Sequence, residues 1–109
     1  MLLLGVEGAE RARALADTGL FMPHLPEPWG LGAGPAEQLL IDQELAAAGV
    51  TRPDLVIGWW AVPTILEHGS AAQVEQFVPP TLRGELQWCQ LFSEPGAGSD
   101  LAALRTKAV

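Results

Sequence analysis

The stretch Ser93-Glu-Pro-Gly-Ala-Gly-Ser-Asp100 gathers two hydroxyls, two carboxylates and two glycines around one proline. Pro95 fixes one φ, while Gly96 and Gly98 permit positive φ and a close approach of the backbone. Successive N–H groups in such a loop can converge on an anion. Ser93 and Ser99 flank it with hydroxyls that can donate to a phosphate or to a heterocycle carbonyl. The loop is therefore competent to hold a phosphorylated ligand. It lacks the Gly-Lys-Ser/Thr ending of a P-loop, and a single Gly-x-Gly pair falls short of a dinucleotide fingerprint. On spacing alone, a tight turn between strands explains it equally well.

Other residues with chemical potential read more plainly. Cys89 is single in the chain, so no intrachain disulfide can form, and no positive neighbour in the sequence marks it as a nucleophile. It reads as a small hydrophobe on a strand. His24 and His68 have no metal-ligand spacing between them. Trp59 and Trp60 fall in an all-apolar segment and read as core or interface packing. Glu94 and Asp100 read as residues that fix the turn and the next segment rather than as catalysts.

The elements that must position the loop follow from periodicity and punctuation. The Ala, Arg and Leu pattern over 7–18, with Gly19 beyond it, predicts a helix with a left-handed glycine cap. Residues 21–35 are too rich in proline and glycine for regular structure. Phe21, Met22, Leu25, Trp29 and Leu31 nevertheless make the segment too apolar for a solvated linker, which predicts an ordered loop pinned to a core.

Pro35 and Gly49 bracket a second helix, with Glu37 in its first turn and Ile41, Leu45 and Ala48 on a stripe widened by Leu40 and Ala47. Thr51 and Asp54 resemble the start of a third, over 55–66. That segment is apolar on all faces, so a buried helix kinked at Pro63 is expected. Ser70 and Gln73 form a capping box opening a fourth helix that Pro79-Pro80 should end near Val78. From 86 to 92 the period changes to two, as in a strand, with Trp88, Gln90 and Phe92 on one face. No second strand precedes it. The chain is therefore expected to stop where a β-domain begins.

Composition narrows the function. Nearly half the residues are apolar and the net charge is −7, with six basic against thirteen acidic residues. That excludes a disordered tail and leaves no basic stripe for nucleic acid or an anionic membrane. The opening Leu-rich residues are too short for a signal-peptide core, and no apolar run reaches the length of a membrane span. A reducing cytoplasm fits the single cysteine.

The segment LFSEPGAGSDLAALRTKAV resembles the start of the middle β-domain of the acyl-CoA dehydrogenases, with a complete match from Ser93 to Asp100. Upstream, LPEPWGLGAGPAEQLLIDQELAAAG and VPTILEHGSAAQVEQFVPPTLRGE resemble that family's loop and helix runs in the same order. The resemblance covers 19–109. It implies a mainly α fold: a helical N-terminal domain over 1–85, leading into the first strand of an incomplete β-barrel domain over 86–109. It implies FAD as cofactor, with the backbone at Gln90, Leu91 and Phe92 and the Ser93 hydroxyl at the flavin's pyrimidine edge.

By the same resemblance, Gly98 and Ser99 would lie by the pyrophosphate, with Ser99 also beside the pantetheine arm of an acyl-CoA substrate. The family's glutamate base would lie beyond Val109, so no catalytic residue is assigned here. Leu91 and Phe92 are bulkier than the family's usual pair. An electron-transfer flavoprotein would accept the electrons, and the full protein would be a homotetramer or part of a heteromeric complex. A flavin oxidase or monooxygenase on the same scaffold, and a non-enzymatic helical interaction module, remain the alternatives.

Overall fold

The computed structural model describes residues 4–109. Four helices carry the fold: α1 (Leu4–Thr18), α2 (Pro35–Ala47), α3 (Gly58–His68) and α4 (Ala71–Leu82), followed by a short 3₁₀ turn at Leu101–Ala103. The mainly helical class agrees with the sequence reading. Residues 1–3, part of the Leu-rich opening, lie outside the described residues. No described helix is long and apolar enough to cross a membrane.

Helix ends form where local chemistry dictates them. Gly19 and Gly49 take left-handed φ of 77° and 71° just past α1 and α2, and Pro35 occupies the first turn of α2. The Ser70 side chain accepts a hydrogen bond from the Gln73 amide at 3.2 Å, and the Ser70 amide donates to Gln73 Oε1 at 2.9 Å. That reciprocal box satisfies two of the donors a helix start leaves orphaned.

Three expectations about where elements start, end or form fail for physical reasons. The third helix starts at Gly58, not at Thr51-Asp54. Asp54 instead accepts from the Val56 amide at 2.8 Å and from Trp59 Nε1 at 3.1 Å. Its carboxylate thereby holds Val56 at a φ of 52°, a conformation a β-branched residue rarely adopts. The fourth helix does not end near Val78 but runs through both prolines to Leu82. Val78, Thr81 and Leu82 are all buried, and packing of that last turn outweighs the amide donors that Pro79 and Pro80 lack. The predicted strand over 86–92 does not form. Trp88 makes one isolated parallel bridge to Val56, and no other β-bridge forms in the segment among the described residues.

The core joins α1, α3 and α4 to a loop. Leu15, Val62, Val78 and Leu82 meet Phe21, Met22, Leu25 and Leu55 in one buried cluster. As expected, the proline-rich loop is ordered, with Trp29 half-buried against the cluster; only Leu31 departs, being exposed. The loop folds back on itself: the amides of Leu31 and Ala33 both donate to the Pro23 carbonyl, at 3.0 and 2.9 Å. Helix α2 contributes no buried residue, contrary to the buried stripe expected for it. Leu45 packs partly against the cluster, while Leu39 and Leu40 each stay 61% exposed. Nor is the apolar segment over 55–66 the buried helix expected of it: α3 buries only Gly58 and Val62.

Gly30 separates packing from propensity. A Cβ there would run into the carbonyl oxygens of Met22 and Leu25, whereas a Cβ on Gly8 in α1 would meet open space. Gly30→Ala should destabilise the protein by about 1–3 kcal/mol, the usual range for overpacking. Gly8→Ala should stabilise it by roughly 0.5–1 kcal/mol through helix entropy. Denaturant unfolding of the two variants checks both signs.

Candidate functional site

The glycine loop hangs from the helical layer through Trp88. Its indole Nε1 donates to Thr81 Oγ1 at 2.9 Å, and its ring meets Phe77 edge-on at 5.8 Å between centroids. Thr81 Oγ1 in turn donates to the Phe77 carbonyl at 2.6 Å. Thr81 is the one buried polar side chain among the described residues, and both its hydrogen-bonding roles are filled.

Beyond Trp88 the chain is open. Gln90, Leu91, Phe92 and Ser93 are all exposed, Leu91 by 88%. The backbone of Gln90, Leu91 and Phe92 makes no backbone hydrogen bond among the described residues. Cys89 is exposed too, so it is not the packed strand hydrophobe that the period-two pattern suggests.

At Glu94 the loop closes into a narrow turn. The Glu94 amide donates to the Ala97 carbonyl at 2.8 Å and the Ala97 amide returns to the Glu94 carbonyl at 3.0 Å. Pro95 and Gly96 occupy the two central positions, and Ala97 is buried beneath them. Neither Gly96 nor Gly98 has positive φ, so the special conformations their sequence permits are not used. What these glycines do provide is room, since a Cβ on either would have no atom within 4 Å. Ser93 and Ser99 are exposed and make no side-chain hydrogen bond among the described residues.

Glu94 staples this turn to the following segment. Its carboxylate accepts the Arg105 amide at 3.0 Å, the Thr106 amide at 2.8 Å and the Thr106 hydroxyl. These donors, the Thr106 hydroxyl first, hold its pKa below the usual value of 4.5. Glu94 thus takes the turn-fixing role that its sequence context suggested. Asp100 contributes only its backbone carbonyl, which accepts from the Ala103 amide at 3.2 Å at the start of the 3₁₀ turn.

At Trp88 lies an open, mainly apolar groove of about 610 Å³ between α3 and α4. Ile57, Trp60, Thr64, Ile65, Phe77 and Trp88 wall it, with His68 and Gln73 at one end. Trp60 is 62% exposed over it, while Trp59 turns inward and packs on Phe21 at 5.4 Å between ring centroids. The two adjacent tryptophans therefore have opposite fates. His24 lies elsewhere, in the proline loop against a separate hollow of about 160 Å³. The sequence reading did not single out Thr81, and a lone hydroxyl in an otherwise apolar turn was its available signal.

The sequence profile of the acyl-CoA dehydrogenase N-terminal domain matches residues 6–85. The chain belongs to the acyl-CoA dehydrogenase family. It is 77% identical over 100 residues to acyl-CoA dehydrogenase FadE34 of Mycobacterium tuberculosis, covering 92% of this chain and 14% of that protein. It is 34% identical over 107 residues to (2S)-methylsuccinyl-CoA dehydrogenase of Cereibacter sphaeroides, covering 92% of this chain and 19% of the relative.

Among solved structures, a variant of the Tcur3481-Tcur3483 steroid ACAD superposes with a TM-score of 0.64 at 29% identity, over 91% of this chain and 26% of that one. The family thus accounts for the helical layer, while the chain spans well under a third of each of these proteins.

Because the folded pKa of Glu94 is depressed, its contacts contribute stability above about pH 4.5 and are lost as pH falls through the folded value. The amide resonances of Arg105 and Thr106 should titrate together with a midpoint below 4.5. Glu94→Gln should abolish that titration, and a midpoint at or above 4.5 would sink the staple.

Proposed function

We propose that these residues form the N-terminal part of an FAD-dependent acyl-CoA dehydrogenase that converts an acyl-CoA to its trans-2-enoyl-CoA. In this reading residues 1–85 form the helical N-terminal domain and residues 86–109 open the middle β-domain. The observation that carries it is the run from Gln90 to Ser99, which combines unpaired backbone groups, two free hydroxyls and two glycines with open space. That donor set fits a flavin nucleotide, which presents a pyrimidine edge of alternating donors and acceptors and an anionic pyrophosphate. FAD, when bound, supplies the acceptor for the hydride leaving the β-carbon.

This chain's own residues would bind and orient. The backbone of Gln90, Leu91 and Phe92 and the Ser93 hydroxyl would hold the pyrimidine edge, where a donor stabilises developing negative charge. Gly98 would let the backbone approach the pyrophosphate, and Ser99 would reach both it and the pantetheine arm. The base that takes the α-proton would come from outside these residues. A soluble cytoplasmic homotetramer or heteromeric complex, passing electrons to an electron-transfer flavoprotein, completes the reading. Two features support a bulky ring-bearing acyl group as substrate: the groove walled by Trp60 and Trp88, and the likeness to a protein described as a steroid ACAD.

The test uses the full-length protein, purified and assayed for bound flavin. Stoichiometric FAD and its bleaching by an acyl-CoA are expected. Ser93→Ala removes one hydrogen bond and should weaken FAD roughly three- to tenfold in apoprotein titrations. Gly98→Ala should weaken it comparably without lowering the unfolding midpoint, because its Cβ meets no atom within 4 Å. A full-length protein that neither contains nor takes up FAD would overturn the proposal.

A further inference from the structure

The groove between α3 and α4 has a direction. The isolated bridge between Val56 and Trp88 sets Trp88 by the start of α3, where its indole also reaches Thr81 near the end of α4. His68 closes α3 and Gln73 lies in the first turn of α4, so these two form the opposite end. The span from Gly58 to His68 makes the groove ~15 Å long at the rise of a helix. Its near end leads to the glycine loop, since Ser93 follows Trp88 within about 18 Å of extended chain.

The far end carries a donor already set in place. The capping box engages Gln73 through Oε1, which accepts the Ser70 amide at 2.9 Å and so fixes the side-chain amide by its oxygen. Its Nε2 has no partner among the described residues, and His68 lines the same end. Between the two ends the walls are aromatic: Trp60 is 62% exposed over the groove, and Phe77 and Trp88 meet edge-on. A mainly apolar cleft with a few polar groups gathered in one place is the form of a small-molecule site, and about 610 Å³ is a usual size for one.

We propose that this groove takes the acyl body of the substrate as a rigid fused-ring system, and that Gln73 selects one bearing a hydrogen-bond-accepting oxygen at the end remote from the thioester. Three arguments select that occupant. Aromatic walls favour a rigid ring body, which loses little rotational freedom on binding, whereas an alkyl chain of the same reach loses it at every fixed bond. An alkyl terminus laid over Gln73 would cut the Nε2 donors off from water without giving them a partner, and an oxygen acceptor supplies that partner. The thioester end faces the glycine loop in the proposed reading, which leaves the ring body to run from Trp88 toward Gln73. The bond that starts α4 thus also holds the recognising amide in position.

The inference rests on the reading of these residues as part of an acyl-CoA dehydrogenase, and assays on the full-length protein separate the two. The probes are the CoA thioester of a short aliphatic acid attached to a fused-ring ketone, its deoxy hydrocarbon counterpart, and a straight-chain acyl-CoA. The wild type should prefer the ketone to its deoxy counterpart. Gln73→Glu keeps the capping box, which a carboxylate also closes, but replaces the Nε2 donors by an oxygen. That preference in kcat/KM should then fall roughly three- to tenfold, as loss of one hydrogen bond requires, with the unfolding midpoint retained. Trp60→Ala should lower kcat/KM for both ring substrates roughly tenfold relative to the straight chain. No preference in the wild type, a preference that survives Gln73→Glu, or a Trp60→Ala effect equal for all the probes would each overturn the inference and leave the groove a packing surface. Such a failure with FAD bound and the straight-chain substrate turned over leaves the enzymatic assignment standing. A protein without FAD and without activity toward any probe removes that assignment and the inference with it.

Discussion

The hydrogen bond from Trp88 to Thr81 holds together two parts of the molecule that have little else in common. A hydroxyl inside an apolar layer is costly unless its donor and acceptor roles are both filled. Thr81 fills one with the Phe77 carbonyl and the other with the Trp88 indole. The first bond ties down a helical turn that Pro79 and Pro80 have stripped of donors. The second fastens the chain that leads to the glycine loop. Among the described residues that chain is also joined to the helical layer by the Phe77 ring contact, the isolated bridge to Val56, turn bonds from the Glu85 and Leu86 amides to Pro80, and an ion pair of Glu85 with Arg13 on α1 at 3.9 Å.

The helical layer is organised around a loop as much as around helices. Phe21, Met22 and Leu25 are more deeply buried than any residue of α2, and they lie in a segment without regular structure. Arg52 links the pieces: its Nε donates to the Leu20 carbonyl at 3.1 Å while its guanidinium pairs with Asp42 on α2. Such a link fixes where α2 sits without burying it. The result is a helix held at one side and exposed along the other.

Local chemistry made much of this legible. Gly19, Pro35, Gly49 and the Ser70–Gln73 box each act within one turn of helix, and each marks an element end correctly. The failures arise where a distant contact decides. Nothing near Thr51 reveals that Asp54 will bond the Trp59 indole instead of opening a helix. Nothing near Pro79 reveals that Val78 and Leu82 will be packed tightly enough to carry the helix through two prolines. The period-two pattern over 86–92 is a strand pattern, but a strand needs a partner, and Val56 supplies one bridge only. In the glycine loop the residue types were readable and their conformation was not, since positive φ is permitted there without being required.

That last point bears on how the loop could serve a cofactor. Preorganised donors are effective only if something holds them in place before the ligand arrives. Strained glycines could have done so, yet Gly96 and Gly98 are unstrained. The order comes from Glu94, whose carboxylate gathers three donors from Arg105 and Thr106 and thereby fastens the turn to the segment after it. An acid beside a loop proposed to take an anionic pyrophosphate is unfavourable on charge alone. Here its charge is engaged by backbone amides and a hydroxyl facing away along the chain, which leaves Ser93, Gly98 and Ser99 open. The carboxylate fastens the turn without engaging Ser93, Gly98 or Ser99, so an anionic ligand and a nearby acid are compatible in one short motif.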